Sequence, residues 1–287
     1  MNSLSRRLVL GFAATTVMAT ATLSTQTATA STRNQEPTLQ SIEAARGPYE
    51  IATQSVPPAV NTGFGGGTIY YPATTGAGKF GAVALSPGYM EKEYSFSWLG
   101  TRLASQGFVV FIINTQNSEE FPSARTDELL ASLNYLTQTS EVRDRVDPNR
   151  LAVMGHSMGG GAALEAAEKN QSLRAVISMT PWNIKTTYSD IKTPTLIIGA
   201  QYDNIAPVHD HAQPSYASLP NDLAKSYLEL RNGNHFSPNM ENTAIARSST
   251  VWLKRFVDGD TRYNKFICPG PTVGDEFNIV QSNCPIL

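Results

Sequence analysis

Several features of nucleic-acid-binding and membrane proteins are scarce or missing in this sequence. Its 22 lysine and arginine residues are balanced by 24 aspartate and glutamate residues, so the formal net charge is −2 and there is no basic excess. Nucleic-acid binding needs a basic surface to match the phosphates. Beyond the first thirty residues, no stretch of the sequence is long and apolar enough to span a bilayer. We therefore expect neither a nucleic acid nor a membrane as a partner, and we expect a monomer.

Cysteine and histidine are rare as well, with two cysteines and four histidines. Neither occurs at paired zinc-ligand spacing, and the glycine run 65–67 precedes a predicted strand, whereas a nucleotide-binding loop follows one. The sequence therefore predicts no metal and no cofactor. Cys268 and Cys284 lie in a tail rich in proline and glycine, and in an exported protein such an isolated pair predicts a disulfide.

Residues 1–30 have the composition of an export signal. Two arginines at 6–7 form a positive region, an apolar stretch follows, and residues 28–30 form an A-x-A cleavage site. The sequence is compatible with export by either the general secretory route or the twin-arginine route. We expect the signal to be removed and residues 31–287 to form one secreted, extracellular domain, whose C-terminal tail the disulfide holds in place.

Apolar segments alternate with helix-forming segments along the rest of the chain. The predicted strands lie near 66–71, 80–86, 108–113, 150–156, 173–179, 193–200 and 225–230. The predicted helices lie near 94–106, 123–139, 157–169, 212–219 and 241–257. This alternation, with strands that are apolar throughout, predicts an α/β fold with a mostly parallel central sheet flanked by helices on both faces.

The most informative motif is the pentapeptide Gly155-His156-Ser157-Met158-Gly159. An apolar strand precedes it and a helix-forming segment follows it. Strand, sharp turn and helix are the setting of a nucleophile elbow, in which flanking glycines leave room for a close backbone approach. We therefore predict that Ser157 is a catalytic nucleophile. The alternative is an ordinary glycine-rich turn whose serine caps the helix.

A nucleophilic serine needs a base, and the sequence offers four histidines for this role. His235 follows the predicted strand 225–230 in a polar loop, where this architecture places its base. His156 lies within the elbow, so we expect its side chain to point away from the base position. His209 and His211 lie at the start of a helix with i, i+2 spacing, which favours solvated surface histidines over a metal site.

The acid that orients the base should lie between the serine and the histidine in the chain. Asp203 follows the buried strand 193–200 in a loop, at the carboxyl end where ligands bind in parallel sheets. Asp190 precedes that strand, and Asp210 and Asp222 lie beyond the loop. We therefore predict Asp203 as the acid. The alternative for Asp203 is a helix cap or an Asx turn.

The tetrahedral oxyanion of acyl transfer needs backbone N–H donors. One comes from Met158, the residue after the nucleophile, and the other from the loop after an earlier strand. Strand 80–86 is followed by Ser-Pro-Gly and then Tyr89, whose N–H is the natural candidate. The alternative for Tyr89 is an ordinary exposed loop aromatic.

Trp182 follows the predicted strand 173–179 at the same edge of the sheet. A tryptophan there offers a flat face to an aromatic or chain-like acyl group, although a core tryptophan is the alternative. Only the segment 181–192 separates this strand from the next one, which leaves no room for a helical lid. The sequence therefore predicts an open cleft that admits a bulky substrate.

Four separated motifs show a resemblance to a known family. They are GFGGGTIYYP (63–72), GHSMGGG (155–161), IAPV (205–208) and WLKRFVD (252–258). They resemble bacterial cutinases of the actinobacterial type, which include hydrolases of poly(ethylene terephthalate), and the likeness runs from about residue 38 to the C-terminus.

The resemblance implies the α/β-hydrolase fold, the triad Ser157, Asp203 and His235, and the oxyanion donors Tyr89 and Met158. It also implies that Trp182 and Ile205 line the substrate cleft. Some members of the family bind calcium through an acid just before the base loop. Arg231 occupies that place here, so we predict no such metal site.

The main functional hypothesis is a secreted serine ester hydrolase that cleaves polyesters such as cutin and poly(ethylene terephthalate), and small esters, through an acyl-enzyme on Ser157. One alternative is a short-chain acylglycerol esterase with incidental polymer activity. Another is a non-catalytic surface-binding protein on a hydrolase scaffold. A serine-directed phosphonate separates the enzymes from the binder, because a pure binder does not react with it.

Overall fold

The computed structural model describes residues 35–59, 62–74 and 76–285. The predicted export signal 1–30 lies outside the described residues. Among the helices in the described part of the chain, none combines the length and the apolar character that a membrane crossing requires.

In the part of the chain that the structure describes, nine strands form one sheet, and its interior is parallel. The strands are β1 (Ile51–Val56), β2 (Gly67–Pro72), β3 (Phe80–Ser86), β4 (Phe108–Ile113), β5 (Val146–His156), β6 (Ala175–Met179), β7 (Thr195–Ala200), β8 (Lys225–Leu230) and β9 (Phe277–Ser282). Their order in the sheet is β1-β2-β4-β3-β5-β6-β7-β8-β9. The strands from β4 to β8 run parallel, whereas β1, β2 and β9 pair in antiparallel fashion at the two edges.

Helices cover both faces of this sheet. They are α1 (Leu39–Glu43), α2 (Ser97–Ser105), α3 (Pro122–Gln138), α4 (Met158–Lys169), α5 (Ala212–Ser218) and α6 (Thr243–Phe256). Side chains of α1, α2 and α6 share one buried cluster with Val83 and Leu85 of β3. Those of α3, α4 and α5 share a second cluster with Ala82 and Ala84 of the same strand. Because successive side chains of a strand point to opposite faces, one apolar strand supports two layers of helices.

The expected architecture is confirmed: a mostly parallel sheet flanked by helices, as in the α/β-hydrolase fold. The predicted interior strands and helices are all present, with ends that differ by a few residues, and β5 begins four residues earlier than expected. The edge strands β1 and β9 were not predicted. Both carry polar residues and are only half-buried, so they lack the continuous apolar character that marks the interior strands.

The carboxyl ends of the parallel strands lie at one edge of the sheet, and the connection between β6 and β7 stays short there. In the described range 76–285, the segment 180–194 contains no helix. The expectation of an uncovered edge without a lid is therefore confirmed.

The C-terminal tail is held by a covalent bond. Cys268 and Cys284 form a disulfide with a Cα–Cα distance of 5.7 Å and a sequence separation of 16. The bond connects the segment after α6 to a residue just beyond β9. Since β9 pairs with β8, the disulfide closes a loop that contains an edge strand of the sheet.

Replacement of both cysteines, C268S/C284S, should lower the free energy of unfolding by about 3 kcal/mol, the value expected for a closed loop of this length. Denaturant unfolding of the oxidised wild type and of the double variant measures the difference. Addition of a reductant should destabilise the wild type and leave the variant unchanged. Equal stability of the two proteins would show that the disulfide adds nothing to the fold.

Candidate active site

The pentapeptide at 155–159 forms a sharp turn between β5 and α4. Ser157 has φ 54° and ψ −121°, a backbone conformation that L-residues rarely adopt. A Cβ at Gly155 would lie 1.9 Å from the carbonyl oxygen of Gly159, and a Cβ at Gly159 would lie 2.2 Å from that of Ser86. The strand and the helix can therefore approach this closely only with glycine at both positions.

Three side chains from three different loops form a continuous hydrogen-bonded chain. The Nε2 atom of His235 lies 2.9 Å from Ser157 Oγ, and its Nδ1 atom lies 2.8 Å from Asp203 Oδ2. All three residues are buried: Ser157 is 6% exposed, His235 is 4% exposed and Asp203 is 5% exposed. When Nδ1 of His235 donates its hydrogen bond to Asp203 Oδ2, Nε2 is left free to accept the serine proton.

Asp203 contacts His235 and also takes part in a local turn. Its Oδ2 atom faces His235, while Oδ1 accepts the N–H groups of Ile205 at 3.0 Å and Ala206 at 2.7 Å. The second pair of contacts forms the Asx turn that was the alternative reading. The turn fixes the carboxylate so that its other oxygen faces the imidazole.

The two expected oxyanion donors belong to two segments that meet at Ser157. Met158 is the first residue of α4, and N–H groups in the first turn of a helix have no partner within the helix. Tyr89 lies in the loop after β3, next to Gly88, and a Cβ at Gly88 would lie 2.8 Å from the Cβ of Ser157. The loop after β3 therefore passes close to the elbow.

A buried arginine is hydrogen-bonded to the loop after β3. Arg125 of α3 donates hydrogen bonds to the carbonyl oxygens of Pro87 at 3.0 Å and Ser118 at 2.7 Å.

A buried glutamate lies one turn further along α3. Glu128 accepts the N–H of Gln116 at 2.8 Å. Burial is the largest cause that raises the pKa of Glu128, to about 8, and the nearby Glu120 adds to it.

His156 takes part in this site in a way that was not predicted. We expected its side chain to point away from the base, but its ring centroid lies 5.0 Å from that of His235. Its Nε2 atom lies 2.8 Å from the carbonyl oxygen of His235, and its Nδ1 atom lies 2.7 Å from Glu91 Oε2. Glu91 carried no signal in the sequence, because the contact joins residues far apart in the chain.

The remaining two histidines differ from each other. The side chain of His209 is 74% exposed beside Asp210, as expected for a surface histidine. His211 is half-buried, its Nδ1 atom lies 3.1 Å from the carbonyl oxygen of Asn183, and its ring lies 5.9 Å from that of Trp182. The expectation of a solvated side chain was therefore wrong for His211.

Apolar side chains surround the triad at the edge of the sheet. Trp182 is half-buried, its main-chain N–H donates to the carbonyl oxygen of Ser157 at 2.9 Å, and its ring lies 6.0 Å from that of Phe121. Tyr89 and Ile205 are about half-exposed. The three sequence-predicted cleft residues thus lie on segments next to Ser157 and Asp203, and the main chain of Trp182 is hydrogen-bonded to the elbow.

The arrangement has the parts that acyl transfer at a serine needs, namely an activated hydroxyl, an oriented base and backbone donors beside them. Among the residues that the structure describes, no group of three or more His, Cys, Asp or Glu side chains could hold a metal ion.

Comparison with known proteins identifies the family. Residues 25–285 match the model of the family described as PETase, PET hydrolase-like. The chain belongs to this family. Membership makes it a carboxylic-ester hydrolase of the serine type, and it confirms the resemblance inferred from the four motifs.

Relatives are similar over most of their length. The chain is 53% identical over 253 residues to the bis(hydroxyethyl) terephthalate hydrolase of Streptomyces coelicolor, with 88% of this chain and 82% of that protein covered. It is 47% identical over 289 residues to a cutinase of Thermobifida fusca, with 98% and 95% covered. Cutinase 1 of Thermobifida cellulosilytica is 48% identical over 257 residues, with 88% and 97% covered.

The raised pKa of Glu128 predicts a pH-dependent stability. Between about pH 4.5, its ordinary value, and about pH 8, the folded state holds a proton that the unfolded state has lost. Stability contributed by this proton therefore falls as the pH rises through that window. Glu128→Gln removes this titrating group. The melting temperature of the variant minus that of the wild type should therefore increase as the pH is raised from about 5 to about 8.

The matched control for this prediction is Glu119→Gln, at an exposed position in the preceding loop. Its melting temperature should follow that of the wild type at every pH. A constant difference between Glu128→Gln and the wild type across this range would contradict the raised pKa.

Proposed function

We propose that the protein is an exported esterase that hydrolyses polyesters, with Ser157 as nucleophile, His235 as general base and Asp203 as the acid that orients it. The single observation that carries this proposal is the chain of contacts from Asp203 Oδ2 through the His235 ring to Ser157 Oγ, at 2.8 and 2.9 Å. Both distances lie within the range in which a base takes up the proton of a nucleophile.

The proposed reaction proceeds in two halves. Ser157 Oγ attacks the acyl carbon of the ester while its proton moves to Nε2 of His235, and the backbone N–H groups of Tyr89 and Met158 stabilise the oxyanion. The C–O bond of the ester then breaks, and the alcohol leaves with the proton from His235. Water, activated by His235 in the same way, releases the acid from Ser157.

The names of the relatives support a polyester as substrate. They are cutinases and a hydrolase of bis(hydroxyethyl) terephthalate, a small aromatic diester. The exposed rim of Tyr89, Ile205 and Trp182 suits an aromatic or aliphatic acyl group, and the uncovered edge of the sheet suits a long chain that extends beyond the cleft. We therefore infer that cutin and poly(ethylene terephthalate) are within its range.

The proposal also covers the location of the protein and its oligomeric state. The sequence of residues 1–30 supports export, with the domain 31–287 acting outside the cell as a monomer and without a nucleic-acid partner. A short-chain acylglycerol esterase with incidental polymer activity is the second candidate. The open rim favours the polyester hydrolase, because a small acyl group does not need it.

Ser157→Ala should reduce ester hydrolysis by several orders of magnitude, because the nucleophile is lost while the oxyanion donors remain. The assay measures soluble product from amorphous poly(ethylene terephthalate) film and from cutin, beside p-nitrophenyl butyrate. Ser189→Ala, an exposed serine in the segment after β6, serves as control. Full activity in Ser157→Ala would refute the assignment of the nucleophile. Butyrate cleavage without polymer release in the wild type would favour the second candidate.

Trp182→Ala should reduce polymer hydrolysis more than hydrolysis of p-nitrophenyl butyrate, because a small ester does not need the extended aromatic surface. The ratio of the two rates in the variant and in the wild type measures the effect. An unchanged melting temperature of Trp182→Ala would show that the variant is still folded. Equal losses on both substrates would show that the ring of Trp182 acts only through its packing against Phe121 and His211.

A further inference from the structure

A second carboxylate–histidine pair lies directly behind the triad. The His156 ring is fully buried, and both of its nitrogen atoms have close partners: Glu91 Oε2 at 2.7 Å from Nδ1 and the carbonyl oxygen of His235 at 2.8 Å from Nε2. A carbonyl oxygen can only accept a hydrogen bond, so Nε2 must carry a proton.

The environment of Glu91 decides the state of the other nitrogen. Its Oε2 atom also accepts the N–H of Gly88 at 2.6 Å, and its Oε1 atom accepts the side-chain N–H of Asn239 at 2.5 Å. Burial alone disfavours the charged form, but the hydrogen bonds from His156, Asn239 and Gly88 and the charge of His156 together lower the pKa of Glu91. The carboxylate is therefore an acceptor at every contact, and Nδ1 of His156 must be a donor as well.

We propose that Glu91 and His156 are positioning residues, a buried carboxylate–imidazolium pair that fixes the main chain of His235 relative to Ser157 and the Gly88–Tyr89 turn. This inference rests on the proposed function, since it concerns the machinery of that same reaction. It adds a carboxylate from the loop after β3 to the residues on which catalysis depends.

The position of Glu91 explains how one side chain can align the whole site. It bonds to Gly88, which precedes the oxyanion donor Tyr89, and to His156, which precedes the nucleophile. Its third partner, Asn239, lies in the turn that follows His235. The elbow, the loop after β3 and the loop after β8 thus meet at one carboxylate. Small displacements of reacting groups cost on the order of 10²-fold in rate.

Glu91→Gln should reduce kcat on p-nitrophenyl butyrate by roughly 10- to 100-fold with KM nearly unchanged, because the base and the oxyanion donors lose their alignment while the cleft remains. Glu93→Gln, the same change two residues away, lies outside the hydrogen bonds of the pair and should retain wild-type kcat. Wild-type kinetics in Glu91→Gln would overturn the proposal.

A double-mutant cycle with His156→Asn tests whether the two residues act as one unit. The double variant should lose no more activity than the more damaged single variant. If the activity losses of the two single variants multiply in the double variant, the proposal that Glu91 and His156 act together is wrong. Because breaking a buried ion pair can also destabilise the protein, the melting temperature of each variant is measured beside its kinetics.

The protonation of His156 can be measured in the wild type without any variant and without activity. Nitrogen-15 spectra of the ring should show both nitrogens of His156 protonated at pH 7, and a single ring proton would overturn the proposal even in an active enzyme. Labelling of Ser157 by a serine-directed phosphonate tests the proposed function separately. Failure of labelling with a doubly protonated His156 would refute the reaction and leave the ion pair standing.

Discussion

The close approach of β5 and α4 at Ser157 is the constraint on which the rest of the site depends. Gly155 permits it, since a Cβ there would lie 1.9 Å from the carbonyl oxygen of Gly159, and Gly159 lets α4 approach β3 as well, since a Cβ there would lie 2.2 Å from the carbonyl oxygen of Ser86. The turn also forces Ser157 to a positive φ, which directs its side chain out of the strand and towards the loops after β7 and β8. Every other group in the site is placed relative to this fixed serine.

The parallel sheet brings the partners of the serine to the same edge. β5, β7 and β8 end at that edge, and Ser157, Asp203 and His235 follow these strands directly. The pairing of β7 with β8 sets the acid beside the base, and the Asx turn of Asp203 then fixes which oxygen faces the ring. Residues far apart in the chain are thus arranged by strand order, while a local turn sets the final geometry.

The interior strands and the three loop positions that meet at Ser157 could be predicted because their signals are local. Apolar strands, a glycine-flanked serine and polar residues just after strands can each be recognised within about ten residues. The edge strands β1 and β9 could not, because half-buried strands with polar residues resemble loops. Glu91 was missed for a different reason: its partner His156 is 65 residues away, and nothing near Glu91 distinguishes it from a surface acid.

The two carboxylate–histidine pairs of the site differ through the partner of the second ring nitrogen. In His235 that partner is the hydroxyl of Ser157, which can donate, so one ring proton satisfies both contacts. In His156 the partner is a carbonyl oxygen, which can only accept, so each of the two contacts calls for a ring proton beside a carboxylate. In the proposed machinery, a hydroxyl in one place and a carbonyl in the other therefore separate the base from its positioning neighbour. The same side-chain pairing then serves reactivity in the first case and alignment in the second.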